Sequence, residues 1–232
     1  MNTDSGQQPR AGRRRLRVMA ALFGYLVFAA AAVLGYQFAS ASAQQAAGNA
    51  FTVACDFQAS LMPGSAPGTL QWSVHTLGPC VNGGGNIQGA SASGSGTATG
   101  TCLAGTGAGN GTVTWLDATG ATIGTSTVDA TPSWTTANGV TSVSVPFKVT
   151  SGTFAGSFGT ATGELAPVVG PDGRISAEVP SFRLGGGQLA GSTGSGSGSG
   201  VVSPIGAPVC PLDPGFTGFT TTGNETGTLT TP

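Results

Sequence analysis

Apolar and polar residues alternate with a period of two along much of the chain, most clearly over residues 140–149. Val143, Val145 and Phe147 fall on one face of this segment, and serine, proline and lysine fall on the other. This period is typical of a β-strand with one buried face. Because proline has no backbone N–H, Pro146 predicts an edge position or a bulge there.

The same alternation predicts a hairpin within residues 101–128. Val113 and Trp115 share one face of its first strand, residues 117–120 supply the turn, and Ile123 opens the returning strand. Trp115 and Trp72 are in phase with apolar neighbours, which predicts that both fill the core. Further strands are predicted over residues 51–57, 69–75, 158–165 and 175–179. Residues 97–102 are either part of a loop or an edge strand that leads into the hairpin.

The composition agrees with strands rather than helices. The chain contains 41 glycines and only 7% charged residues, and glycine and threonine are both unfavourable inside helices. We therefore predict an all-β fold, a single antiparallel β-sandwich or barrel preceded by an N-terminal apolar export helix.

The N-terminus has the pattern of an export signal. Residues 1–17 end in a basic cluster, residues 18–36 carry no charge, and Ala41-Ser42-Ala43 fits a signal-peptidase site. We predict that residues 1–43 are a signal peptide and that the protein is secreted. The apolar run approaches the length of a bilayer span, so the alternative is a membrane anchor with the β domain outside the plasma membrane.

The remaining chain divides at a glycine- and serine-rich tract. We assign residues 44–184 to the β domain and residues 185–200 to a disordered loop, since such a tract has little apolar surface to bury. Residues 201–232 are predicted to return to the β domain, because Cys210 lies beyond the tract.

Charge excludes one class of partner. The formal net charge is -1, but five of the eight cations precede residue 18, so the exported part has three cations against eight acids, a net of -5. Nucleic-acid binding needs a positive surface and is not expected. The eight acids are interpreted as solvated surface groups. Membrane contact is expected only through the N-terminal segment.

Several short motifs resemble a family of small secreted actinobacterial β proteins of uncharacterised function. They are Gly100-Thr-Cys102, Gly111-Thr-Val-Thr-Trp115, the valine-rich strand, Thr150-Ser-Gly-Thr-Phe154-Ala-Gly156 and Cys210-Pro-Leu. The resemblance covers residues 97–165 and the region around Cys210. It implies a β-rich secreted protein and no reaction, cofactor or catalytic residue.

The exported part holds four cysteines, an even number that favours two disulfides in an oxidising compartment. Four cysteines allow three pairings, of which we favour Cys55 with Cys80 and Cys102 with Cys210. A zinc site is the weaker alternative because no C-x-x-C pair is present. We expect neither a metal nor a cofactor.

The residues that catalysis would need are few. His75 is the only histidine and has no nucleophile motif beside it. A glycosidase-type carboxylate pair would have to come from Asp56, Asp117, Asp129 or Glu164. We therefore predict a protein that is not an enzyme.

Trp134 is the one candidate ligand-binding residue. It lies between polar residues in a predicted loop and is the tryptophan expected to be exposed, where it could stack on a sugar ring. The predicted function is a structural or interaction protein of the cell envelope or extracellular space. A carbohydrate-binding module is the alternative and an extracellular hydrolase the third reading. The partner is unknown, with a cell-wall glycan or another envelope protein as candidates.

Overall fold

The chain forms β-strands over almost all of its described length. A computed structural model describes residues 50–82, 87–101, 103–137, 140–165, 173–203 and 217–230. These residues form twelve strands and one short 3-10 turn, Gly187–Leu189. The strands are β1 Ala50–Pro63, β2 Thr69–Thr76, β3 Cys80–Asn82, β4 Gly89–Gly100, β5 Ala104–Leu116, β6 Thr122–Ala130, β7 Ser133–Ala137, β8 Val140–Gly152, β9 Phe158–Leu165, β10 Arg174–Gly185, β11 Thr193–Ser203 and β12 Phe219–Thr230.

Ten of these strands close into an antiparallel barrel. The order around the barrel is β1, β12, β11, β10, β9, β8, β6, β5, β4 and β2, and β2 pairs with β1 to complete the circle. The last strand closes the barrel on the first over a register that runs from Ala50 opposite Thr230 to Leu61 opposite Phe219. β12 belongs to the segment, residues 201–232, that was predicted to return to the β domain. Of the two predicted architectures, the barrel is the correct one.

Two short strands extend the sheet where longer neighbours end. β3 pairs with β1 and β4, and β7 pairs with β5 and β8. Pro146 of β8 lies between the residues that pair with β7 and those that pair with β6. Its carbonyl accepts a hydrogen bond from the Thr131 N–H at 2.9 Å. The predicted irregularity at Pro146 is therefore a change of partner strand.

The barrel has an apolar interior and a polar outer face. Inward residues include Phe57, Trp72, Trp115, Val145 and Phe147, each at most 5% exposed. The alternate positions, such as those of β4 and β8, carry mainly serine and threonine. This alternation is the period-two pattern of the sequence. The predicted hairpin is confirmed as β5 and β6. The predicted core positions of Trp72 and Trp115 are also confirmed.

The predicted N-terminal export helix and cleavage site lie outside the described residues. Within the described ranges, no helix is long and apolar enough to cross a bilayer.

The disorder predicted for residues 185–200 is wrong. β11 occupies Thr193–Ser203 and pairs along its length with β10 and β12. A strand in a barrel satisfies its backbone groups on both sides, so the tract does not need large side chains of its own. The glycines of the tract also leave space for the Phe182 ring of β10, since a Cβ at Gly194 would overlap that ring.

Glycines also make room for the tryptophans of the core. A Cβ at Gly105 would overlap the Trp134 ring, and the indole packs directly against this backbone. We expect Gly105→Ala to lower the free energy of unfolding by roughly 1–3 kcal/mol, as overpacking in a core does. Urea unfolding measures the loss. Gly78→Ala is the matched control because a Cβ there meets no atom within 4 Å, and an equal loss in both variants would contradict the packing argument.

Candidate functional site

One of the two predicted disulfides lies within the described residues, and it is present. Cys55 of β1 and Cys80 of β3 are bonded, with their Cα atoms 4.4 Å apart. The pairing predicted for these two residues is confirmed. Cys102 and Cys210 lie outside the described residues, so their pairing stays a prediction.

Trp134 is not the exposed tryptophan that the sequence suggested. It lies in β7 rather than in a loop, and only 7% of it is exposed. Its Nε1 donates a hydrogen bond to the Thr101 carbonyl at 2.9 Å. Because Gly100 and Gly105 carry no side chains, the indole can lie inside the barrel wall. The prediction of exposure is wrong, and the ligand-binding prediction for Trp134 stays untested.

The candidate catalytic residues do not form one group, and among those on strands only His75 and Asp56 lie on neighbouring strands. His75 points outward from β2, opposite Gln58 and Ser93. The four candidate carboxylates lie on β1, on the β5–β6 turn, on β6 and on β9. Within the described ranges, no three histidine, cysteine, aspartate or glutamate residues are grouped so that they could hold a metal ion.

Asp117 has a local structural role in the β5–β6 turn. Its Oδ1 accepts hydrogen bonds from the Thr119 hydroxyl at 2.6 Å, from the Thr119 N–H at 2.8 Å and from the Ala121 N–H at 3.0 Å. These bonds, the hydroxyl of Thr119 first, lower the pKa of Asp117 because they favour the charged carboxylate. The residue therefore stabilises the turn that the sequence predicted.

An open depression of about 490 Å³ lies on β7, β8 and β9. Its lining is a three-by-three patch of the sheet, in which each residue of β8 is opposite one of β7 and one of β9. The lining residues are Ser133, Trp134, Thr135, Ser142, Val143, Ser144, Thr162, Gly163 and Glu164.

The depression lies on the outer face of the barrel. Trp134, Val143 and Gly163 are buried, whereas Thr135, Ser142, Thr162 and Glu164 are exposed. The exposed set alternates with the buried set along each strand, so its side chains point outward. The outward residues offer five hydroxyls and the carboxylate of Glu164. We call this site the β7–β9 depression.

The outer face of β8 and β9 continues from the depression to an exposed aromatic ring. The outward residues of β9 are Phe158, Thr160, Thr162 and Glu164, and their partners on β8 are Lys148, Pro146, Ser144 and Ser142. Six residues of extended strand separate Phe158 from Glu164, about 20 Å. We call these eight residues the β8–β9 strip.

The Phe158 ring is fixed against backbone on one side and is open on the other. Phe158 is opposite Gly185 of β10, and a Cβ at Gly185 or Gly186 would collide with the ring. An aromatic ring that covers a cross-strand glycine is a known stabilising arrangement of β-sheets. Half of Phe158 nevertheless stays exposed, at 50%. The side chain therefore offers a preoriented apolar surface to the solvent.

The described barrel interior contains a small cavity. The cavity beside Trp72 and Phe147 has a volume of about 20 Å³, enough for about one water molecule. Trp72 Nε1 is buried without a hydrogen-bond partner among the described residues. A water is the occupant that this space fits.

Among the described residues, the ionisable side chain of Glu225 is buried in the barrel interior, a position that the sequence did not predict. It points inward from β12 between Cys55 and Gly198, and it is 5% exposed. Neither carboxylate oxygen has a hydrogen-bond partner within the described ranges. Burial raises the pKa of Glu225 well above its usual value. The prediction that the acids are solvated surface groups is wrong for this residue.

Sequence reasoning also missed Phe158 as a site residue, although a signal was present. Phe158 alternates with Gly159, Ala161 and Gly163 and is in phase with Thr160 and Thr162. An aromatic residue in phase with hydroxyl residues is placed on the outer face of the strand. Trp134, by contrast, lies among polar residues at every phase, so its burial depends on glycines of distant strands.

The comparisons with known proteins add no family. No protein-family model and no curated protein match the sequence. Two solved structures of Ail, the attachment invasion locus protein of Yersinia pestis, align with 80% of this chain and 99% of that chain, one of them in complex with the heparin analogue sucrose octasulfate. Their sequence identities are 8% and 9% and their TM-scores 0.14 and 0.13. Scores of this size carry no argument about the present chain.

Proposed function

We propose that this protein is a non-catalytic, exported interaction protein that binds carbohydrate through the β7–β9 depression and the β8–β9 strip. The observation that carries the proposal is the depression itself, an open site of about 490 Å³ lined by outward serine and threonine hydroxyls. Its volume is within the range of about 300–1,000 Å³ that ligand sites occupy.

The chemistry of this face matches that of a sugar. Sugar hydroxyls both donate and accept hydrogen bonds, and serine and threonine hydroxyls do the same. The carboxylate of Glu164 adds a strong acceptor. The open side of the Phe158 ring can pack against the apolar C–H face of a sugar ring.

The positions of the ionisable residues favour binding over catalysis. Acid–base chemistry needs its groups within hydrogen-bond reach of one reacting centre. His75 lies on β2, whereas Glu164 lies on β9, with four strands between them in either direction around the ten-strand barrel. A glycan on this face would therefore meet groups that hold it and few that could cleave it.

The compartment is inferred from the sequence and the cysteines. A basic and apolar leader and the Cys55–Cys80 disulfide both fit an oxidising environment outside the cytoplasm. We place the barrel in the cell envelope or the extracellular space, where a cell-wall glycan is available as a ligand.

The test removes two hydroxyls from the depression. We expect Ser144→Ala combined with Thr162→Val to weaken binding of the best ligand on a cell-wall glycan array by about tenfold, the effect of losing roughly 1.4 kcal/mol of hydrogen bonding. Ser144 and Thr162 are a cross-strand pair, so both groups leave the same place in the sheet. Isothermal titration calorimetry measures the change.

The matched control is a second serine–threonine pair on a distant outer face. Ser197 of β11 is opposite Thr226 of β12, and both residues are exposed. Ser197→Ala with Thr226→Val should leave binding unchanged. An array without any glycan ligand would overturn the carbohydrate proposal, and capture of an envelope protein by the same face would replace it. An equal loss in both pairs would remove the β7–β9 depression as the site.

A further inference from the structure

Cations are scarce in the exported part of the chain, and their placement is uneven. Lys148, Arg174 and Arg183 are the three cations after residue 17. Two of them lie beside the exposed ring of Phe158, and Arg174 lies at the opposite end of β10. The single exposed aromatic ring of the β8–β9 strip is therefore also where positive charge is concentrated.

The register fixes how these three side chains relate to one another. Lys148 of β8 is directly opposite Phe158, and Arg183 of β10 is opposite Thr160, one diagonal step away. Directly opposed residues share a face with Cβ atoms about 5 Å apart, and diagonal neighbours are about 7–8 Å apart. Lys148 and Arg183 are both exposed. Both charged groups can therefore reach a ligand that lies on the ring.

Neither cation forms a close ion pair with a described residue. Within the described ranges, no carboxylate oxygen lies within 4.0 Å of the Lys148 ammonium or the Arg183 guanidinium. Asp129 of β6 is opposite Lys148 on the side away from Phe158. Glu164 lies at the other end of the strip, about 20 Å away along the strand.

We propose that Lys148, Phe158 and Arg183 form a subsite for an acidic sugar, one that carries a carboxylate. The proposal rests on the carbohydrate-binding function and specifies its ligand class. The ring packs against the sugar, Arg183 can bind the carboxylate through two parallel N–H donors, and Lys148 supplies a second cation. A sugar without the carboxylate would leave both cations without a partner in the complex.

The same arrangement sets the direction of the bound chain. Glu164 would repel a carboxylate at the depression, where the hydroxyls suit a neutral sugar. A glycan with acidic and neutral units would therefore place an acidic unit on Phe158 and a neutral unit in the β7–β9 depression.

The test compares two ligands that differ only in charge. Hexagalacturonate carries free carboxylates, and its fully methyl-esterified form has the same chain without charge. We expect the wild-type protein to bind the acidic hexamer about tenfold more tightly, as charge-assisted hydrogen bonds are stronger than neutral ones. Lys148→Gln with Arg183→Gln should abolish this preference, by weakening binding of the acidic hexamer more than binding of the ester.

Two further variants separate the roles. Phe158→Ala should weaken binding of both hexamers, because stacking does not depend on the carboxylate. Arg174→Gln removes a cation from the same strand as Arg183 but far from Phe158, so it should preserve the preference. Thermal unfolding of each variant checks that the barrel is intact.

The remaining outcomes show whether the subsite alone or the proposed function as well is wrong. If both hexamers bind with equal affinity, the acidic subsite is wrong and the carbohydrate-binding function stands. The same holds if Arg174→Gln reduces the preference as much as the double variant does. If neither hexamer binds and the glycan array is also empty, the proposed function fails and the subsite fails with it. If the array shows only neutral ligands, the acidic subsite alone is overturned.

Discussion

Replacing Glu225 by methionine is expected to raise the free energy of unfolding at pH 7 by about 1–3 kcal/mol, the penalty of a buried polar group without a partner. Methionine has a side chain of similar length and no charge, so it can fill the same space between Cys55 and Gly198. Urea unfolding of the variant and the wild type measures the difference. Glu164→Met is the control, since Glu164 is exposed on the same barrel.

The stabilisation should depend on pH in a defined direction. Burial raises the pKa of Glu225 in the folded state above its ordinary value of 4.5. The folded state therefore holds this proton more tightly than the unfolded chain does. The contribution is fully favourable below the unfolded pKa and is lost as pH rises through the folded pKa. In that window the wild type should lose stability while Glu225→Met does not.

A profile in which the wild type and Glu225→Met change in parallel from pH 4 to pH 8 would contradict the burial of this carboxyl. So would a variant less stable than the wild type at pH 7, because that result requires a partner for the carboxylate. The pH dependence that Asp117 adds to stability has the opposite sign, since the pKa of Asp117 is lowered in the folded state. Asp117 contributes stability above its unfolded pKa that is lost as pH falls.

The part of the fold that the sequence predicted is the part in which each strand carries its own apolar face. Residues 140–149 and the hairpin around Trp115 alternate clearly, and both form strands with the predicted faces inward. β11 has almost no apolar residues, so nothing in its own sequence distinguishes it from a linker. Its order comes from β10 and β12, which supply the hydrogen bonds and the Phe182 ring.

The same reasoning explains which site residues were found. Local alternation is enough to place Lys148 on the outer face, and it could also have placed Phe158. The burial of Trp134 depends on Gly100 and Gly105, and the burial of Glu225 depends on the closure of β12 against β1. These contacts join residues far apart in the chain, so the period of a single strand could not predict them.

The Cys55–Cys80 disulfide is expected to be the largest single contribution to stability among the predictions. Replacing both cysteines by alanine should lower the free energy of unfolding by about 3–4 kcal/mol, as the chain-entropy model gives for a loop of this length. The bond joins residues 25 apart and encloses β2 together with its connections. It also fixes β3 to β1 at the place where β3 takes over from β2 in the barrel wall.

The denaturant dependence can separate this effect from simple loss of packing. Without the crosslink the unfolded chain is more expanded, so the slope of unfolding free energy against urea concentration should increase together with the loss of stability. A core truncation of similar size, Val145→Ala, should lower stability without increasing that slope, since Val145 is fully buried and forms no crosslink. If the free energy of unfolding of the double alanine variant is within about 0.5 kcal/mol of the wild-type value, the disulfide does not constrain the unfolded chain as proposed.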